Sequence, residues 1–235
     1  MIDWHTHILP KMDDGSKNLE ESIQMLLLER RLGIRTVVLT PHFYASAEDE
    51  ASFLERRTRR LEKLVRGMEA CVQEGCAEKG DFPRLVQGAE VYLFEGMHMM
   101  RQIDDFTFGR RRYMLIEMPF ASWTDHDLDI VYKTMRTCNV SPVMAHVNRY
   151  VKFKGNAKKL DALADMGAIF QINTEAFYGR LARWKTSRLM NRYGPVVLGS
   201  DCHNMEERIP DWDAVAPVLE QKPFHRYLQE IERHS

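Results

Sequence analysis

No run of apolar residues in this chain approaches the length that crosses a bilayer, so no helical membrane insertion is expected. There is no excess of positive charge either. Lysine and arginine total 33 against 34 acidic residues, a net charge of -1, which leaves no electrostatic footprint for nucleic acid or an anionic membrane. The one arginine cluster, Arg56, Arg57, Arg59 and Arg60, lies in a helical stretch with acidic neighbours and reads as a solvated helix face. A signal peptide is not expected, since charged residues and histidines occupy positions 3 to 7; the reading is a cytoplasmic protein. Cysteine is scarce and unpaired. Cys71, Cys76, Cys138 and Cys202 make no C-x-x-C, which predicts free thiols in a reducing compartment. The glycine-rich phosphate loops are missing as well: no G-x-G-x-x-G follows a strand and no G-x-x-x-x-G-K occurs, which argues against dinucleotide and P-loop chemistry. With no repeat, low-complexity tract or linker, residues 1–235 are expected to form a single domain.

What the chain does contain is an alternation of short apolar runs and amphipathic stretches. Strands are expected at the N-terminus through His7, at Thr36–Leu39, Leu85–Glu90, Tyr113–Glu117, Pro142–His146, Ala168–Ile172 and Val196–Asp201. Their cores are uniformly apolar, as in parallel strands buried on both faces. Between them, helices are expected from Asn18 to Gly33, over roughly 48–79, near 95–103, from Thr124 to Cys138, from Asn156 to Met166, over 175–193 and from Trp212 to Gln221. Strict strand–helix alternation predicts an α/β fold. Seven units predict a closed or nearly closed (β/α)7 barrel rather than an open sheet.

The chemistry-bearing residues fall at the strand ends. His5 and His7, two apart in an extended segment, point to one side. Pro10 and Gly15 break that strand into a loop that returns Asp13 and Asp14, two hard oxygen donors, to the same place. His42 ends the second strand, Glu90 the third, Glu117 the fourth and His146 the fifth, while Asp201 and His203 end the seventh. In a parallel barrel the C-terminal strand ends share one face. The nine residues His5, His7, Asp14, His42, Glu90, Glu117, His146, Asp201 and His203 therefore converge, five imidazoles and four carboxylates. They suffice for two or three metal ions, and the donor set suits Zn, Mn or Fe better than Ca. A capping role explains any one of them, but not all nine at once.

These pieces resemble a known family. Met1 to Gly15 (M-I-D-x-H-x-H-I-L-P-x-x-D-D-G), Thr40-Pro41-His42, Gly88 to Tyr92, Leu115-Ile116-Glu117, Ala145-His146-x-x-Arg149-Tyr150 and Ser200-Asp201-x-His203-Asn204 are similar to the polymerase-and-histidinol-phosphatase (PHP) superfamily. Within it they resemble the bacterial metal-dependent protein-tyrosine phosphatases of capsule and exopolysaccharide synthesis. The resemblance implies a distorted TIM-like barrel with two to three metal ions (Mn, Fe, Zn or Mg). His5, His7, Glu90 and Asp201 would hold the first; Glu90 would bridge to a second, with Glu117 and His146; Asp14, His42 and His203 would hold the third. Arg149 and Arg208 match arginines that bind the phosphate. Asn148 stands where the family often has Glu, and the segment after the last helix is shorter than the family pattern leads one to expect.

The implied reaction is phosphomonoester hydrolysis by a metal-activated water, with phosphotyrosine on a bacterial tyrosine kinase as substrate. The rivals are a small-molecule phosphatase of histidinol-phosphatase type, a nuclease, which the charge balance disfavours, and an inactive metal-binding scaffold. One further motif competes. Cys202 to Arg208 satisfies C-x5-R, the spacing of cysteine-dependent tyrosine phosphatases. Glu206 and Glu207 place two like charges in that loop, and no glycine lets it curl round a phosphate. Cys202 is therefore expected to be a small buried residue turned away from the flanking ligands. Oligomeric state is left open by the sequence.

Overall fold

The computed structural model describes residues 1–194 and 196–219. Nine parallel strands run through it: β1 (Ile2–Thr6), β2 (Thr36–Leu39), β3 (His42–Phe43), β4 (Arg84–Gln87), β5 (Glu90–Tyr92), β6 (Tyr113–Glu117), β7 (Ser141–Met144), β8 (Ile169–Asn173) and β9 (Val196–Gly199). They form two sheets, β1-β2-β4 and β3-β5-β6-β7-β8-β9. The seven expected strands are all present, but the second and third are each interrupted, and no closed seven-stranded barrel is seen among the described residues. The second breaks at Thr40-Pro41, where proline has no N–H to continue a ladder. The pairing nevertheless carries past the break, with Gly88 N–H on Leu39 O at 2.9 Å and Glu90 N–H on Pro41 O at 3.0 Å. His42 and Glu90 therefore do not end strands, as the sequence suggests. They open the second segments and lie directly opposite each other in register.

β1 and the exit from β9 are tied by Asp201 N–H to His5 O at 2.8 Å and His7 N–H to Cys202 O at 2.9 Å. This approach is close. A Cβ on Gly199 would lie 2.6 Å from His5 Cβ and 2.7 Å from Gln171 Nε2, so no side chain fits there.

Both faces of the strands are apolar because each faces a core. Val38, Leu115, Val143, Ile169 and Val197 pack with Trp4, Phe108 and Tyr113 on one side. Their neighbours Val37, Leu39, Met114, Ile116, Phe170 and Leu198 join the larger core on the other. Trp4 meets Phe108 and Tyr113 edge-on, with centroids at 5.5 and 5.0 Å.

The helices start where the sequence signals them. In α1 (Leu19–Arg31), Asn18 Oδ1 accepts the Glu21 N–H at 2.9 Å. In α3 (Asp125–Cys138), Thr124 and Asp127 complete a reciprocal capping box. α4 covers Asn156–Asp165. α2 spans Glu50–Gln73, shorter than the expected 48–79. The Met-rich stretch forms two 3-10 turns, Met97–Met99 and Ile103–Phe106, in place of one helix. The helix expected over 175–193 is a 3-10 turn, Thr174–Phe177, followed by α5 (Arg180–Tyr193). The last helix, α6, is Ala216–Leu219; Gln221, its expected end, lies outside the described residues. No described helix is long and apolar enough to cross a membrane.

Arg57 corrects the solvated-face reading of the arginine cluster. It is only 5 % exposed and its Nη1 donates to Gly88 O at 2.7 Å, with the guanidinium lying over the Phe53 ring. Its head occupies a carbonyl freed at the break between β4 and β5.

Candidate metal centre

The loop after β1 folds back on His7. Ser16 N–H donates to His7 O at 3.0 Å, and a Cβ on Gly15 would stand 2.1 Å from that oxygen, so only glycine allows the return. The two aspartates brought back by the loop separate. Asp13 does not face the cluster as a donor. Its Oδ2 accepts from His7 Nδ1 at 2.7 Å and from the His42 N–H at 2.9 Å. Asp14 instead faces the open side, its Oδ1 3.6 Å from His42 Nε2 and 3.5 Å from His203 Nε2. Asp13 thereby fixes the proton of His7 on Nδ1 and leaves Nε2 with its lone pair, as orienting carboxylates do for histidines that bind metals.

All nine predicted ligands are brought together. His5 Nε2 lies 3.1 Å from His7 Nε2, 3.0 Å from Glu90 Oε2 and 3.6 Å from Asp201 Oδ1. His7 Nε2 lies 3.3 Å from the same Glu90 oxygen and 3.5 Å from the same Asp201 oxygen. Both imidazole nitrogens thus lie as close to each other and to the two carboxylates as ligands of one ion do. Glu90 turns its other oxygen away, 2.9 Å from His146 Nε2. His146 Nε2 is 3.8 Å from Glu117 Oε1, and His42 Nδ1 is 3.1 Å from Glu90 Oε2 and 3.7 Å from Glu117 Oε2. His7, Asp14, His42 and His203 form a further group, each presenting a donor atom within 4.8 Å of the others. Glu90 Oε2, Glu117 Oε2, His42 Nδ1, His146 Nδ1 and His203 Nε2 are buried with no hydrogen bond. Buried polar atoms are almost always satisfied, and such a concentration of exceptions fits a site built for cations.

The charges point the same way. Burial by itself would raise the Glu90 carboxyl, yet His5, His146 and His7 hold it well below the usual range. Asp201 is likewise depressed against its burial, by His5, His7 and the two arginines Arg208 and Arg149. Glu117, buried beside the Glu90 charge, is pushed up to about 8, and His42, buried and facing His7, is lowered to about 4. A neutral imidazole is the ligating form; His5 and His7, by contrast, are raised against their burial by the carboxylates of Glu90, Asp201 and Asp13. Two of the candidate ligands sit on unusual backbone. His146 has φ 30° and Asp201 φ 54°, in the left-handed region that non-glycine residues avoid.

Over residues 1–235 the chain matches the family model described as capsular polysaccharide synthesis, CpsB/CapC. The chain belongs to the CpsB/CapC family. It is 28% identical to tyrosine-protein phosphatase CpsB of Streptococcus pneumoniae, over 98% of this chain and 94% of that protein. It is also 28% identical to tyrosine-protein phosphatase YwqE of Bacillus subtilis, over 94% of this chain and 85% of the relative. A solved structure from a study of YwqE and S. pneumoniae CpsB, described there as metal-dependent tyrosine phosphatases, superposes with a TM-score of 0.74. It is 24% identical, covers 95% of this chain and 88% of its own, and shows the shared fold.

In this CpsB/CapC chain both predicted arginines reach the centre. Arg149 Nη1 is 3.0 Å from Asp201 Oδ2, and Arg208 Nη2 is 2.7 Å from Asp201 Oδ1. Arg149 is also held by Glu175 at 2.9 Å. Asn148 accepts the Asn173 N–H at 3.1 Å. Neither arginine is a detached surface residue.

The C-x5-R loop is not a phosphate cradle. The N–H groups of Glu206, Glu207 and Arg208 all donate to Asn204 Oδ1, at 3.0, 2.8 and 3.1 Å. Cys202 Sγ points the other way, 3.9 Å from Glu29 Oε1, in a buried cluster with Asp3. Burial and then the Glu29 and Asp3 charges push its thiol well above the ordinary range, so it is not a thiolate at neutral pH. Cys202→Ser is expected to keep at least about half of the aryl phosphate turnover at unchanged metal content, and thiol alkylation of the folded protein to be slow. Complete loss of turnover in the fully metallated serine variant contradicts this.

Sequence reasoning missed three polar residues around the ligands. Asp13 was read as a donor rather than an orienting group. Gln171 and Asn173 on β8 were not singled out, although two amides inside a buried apolar strand were a signal that a partner had to exist there.

Proposed function

We propose that residues 1–235 form one phosphatase domain, a metal-dependent protein-tyrosine phosphatase acting on a phosphorylated bacterial tyrosine kinase in the cytoplasm. The observation that carries this reading is the convergence of His5 Nε2 and His7 Nε2 on the same Glu90 oxygen and the same Asp201 oxygen, at 3.0–3.6 Å. His5, His7, Glu90 and Asp201 would hold a first ion. Glu90 would also serve a second, with Glu117 and His146, and Asp14, His42 and His203 would hold a third. The donors favour Mn, Fe, Zn or Mg. Two or three such ions would supply a water that ionises near neutral pH and would neutralise charge on the phosphoryl oxygens. The same proposal treats the two sheets as one distorted seven-stranded ring.

The remaining steps belong to the chain itself. Arg149 and Arg208 carry fixed positive charge to the rim of the centre, and on phosphate binding they would exchange Asp201 for the phosphoryl oxygens. Glu175 keeps Arg149 facing inward during that exchange. No side-chain nucleophile is required, because Cys202 is turned away.

The names of the CpsB and YwqE relatives support phosphotyrosine over a small metabolite as the substrate class. The test compares turnover of a phosphotyrosine peptide with that of histidinol phosphate at equal concentration. The expected result is a higher kcat/KM, by at least about tenfold or 1.4 kcal/mol, for the peptide. A preference for histidinol phosphate moves the protein to the small-molecule class while leaving the metal mechanism standing.

A further inference from the structure

Among the strands that border the centre, β8 brings none of the nine ligands, yet it carries two fully buried amides, Gln171 and Asn173. Gln171 Oε1 faces the His146 N–H at 2.6 Å. A backbone N–H only donates, so the atom opposite it is the amide oxygen and the Gln171 orientation is determined. That oxygen is also 3.1 Å from His5 Nδ1. An amide oxygen only accepts, so His5 carries its proton on Nδ1 and presents the lone pair of Nε2 to the side facing His7, Glu90 and Asp201. Gln171 Nε2, thus oriented, donates to Asn173 Oδ1 at 2.9 Å, and Asn173 Nδ2 donates to Asp201 Oδ2 at 2.8 Å. One backbone N–H therefore sets the polarity of a chain of groups that ends on three ligands from three different segments.

Two of those ligands are the ones with left-handed backbone, and each is met by the relay: His146 through its N–H, Asp201 through its carboxylate. Strained residues of this kind persist only where their surroundings hold them. Gly199 completes the arrangement, since any Cβ there would occupy the path of Gln171 Nε2 beside His5. Asn148 closes it from outside by accepting the Asn173 N–H.

We propose that Gln171 and Asn173 are positioning residues for the metal centre, Gln171 selecting the His5 tautomer and anchoring His146, and Asn173 aiming Asp201. This rests on the metal-centre reading above and goes beyond the nine ligands. Both amides are fully buried behind the ligands.

The test uses the full-length protein, stripped and then titrated with Zn2+ alone in competition with a chromophoric chelator, with folding checked by circular dichroism. Gln171→Met should weaken Zn2+ binding by about ten- to a hundredfold, the usual effect of losing a group that orients a ligand. Gln171→Glu keeps an acceptor for both His5 and His146 but loses the donor to Asn173, so it should recover part of that loss, a rescue that a merely space-filling role would not produce. Asn173→Ala should weaken binding by about tenfold, and it carries the test if Gln171→Met does not fold. Wild-type affinity in folded Gln171→Met or Asn173→Ala overturns the positioning role alone, as does a Gln171→Glu variant no tighter than Gln171→Met. A wild-type protein that binds no divalent ion overturns both this proposal and the reading beneath it.

Discussion

Chelation followed by removal of the chelator is expected to abolish aryl phosphate hydrolysis, and added Mn2+, Zn2+ or Fe2+ to restore it. Glu90→Ala is expected to abolish it in a way that no added ion repairs. The reason is the position of Glu90. One oxygen lies 3.0 and 3.3 Å from His5 and His7 Nε2, and the other faces His146. Losing this carboxylate removes a donor from two groups at once and leaves histidines massed without their counter-charge. A drop of at least about a thousandfold in kcat/KM, about 4 kcal/mol of transition-state stabilisation, is the expected size. Metal should also raise the melting temperature of the wild type, since an ion that binds only the folded protein stabilises it by mass action. Elemental analysis decides the matter: full activity in protein shown to be metal-free is incompatible with the mechanism.

Arg149→Ala is expected to lower kcat/KM for an aryl phosphate by about a hundredfold, or about 3 kcal/mol, with metal content close to that of the wild type. Arg149 is 29 % exposed at its side chain, bound on one flank to Glu175 and on the other to Asp201. It is near enough to the centre to meet a phosphoryl oxygen and open enough to be reached by one. Arg149→Lys should recover little, because an ammonium cannot reproduce a planar fork that satisfies two partners together. Asp201 also loses a counter-charge in the variant, so the ion content must be measured beside the rate. Near-normal turnover at full metal occupancy would reduce Arg149 to a structural tie.

The clustering of the nine candidate ligands was legible in the sequence because strand ends in parallel folds converge, so residues as far apart as His5 and His203 were placed at one face from their position in the pattern. The details that escaped were those decided by neighbours in space. Nothing in Thr40-Pro41-His42 told that the chain would resume as β3, which made His42 and Glu90 register partners rather than strand ends. Asp13 and Asp14 are adjacent and chemically identical, and only the folded loop assigns one to His7 Nδ1 and the other to His42 and His203. Arg57 looked like its neighbours Arg56 and Arg59, and its burial follows from a carbonyl 31 residues away. Gln171 and Asn173 carry no motif, and their roles exist only through partners on other segments.

The left-handed backbone at His146 and Asp201 has an evolutionary corollary. Each imposes a conformational cost of about 1–2 kcal/mol that glycine would largely escape. A library of variants selected for heat resistance alone should therefore accumulate glycine at positions 146 and 201, and drift toward a sturdier but inert protein. The two residues persist in a lineage only while their side chains are under selection, so their presence in a distant relative reports retained use of the centre more directly than the apolar core beneath it.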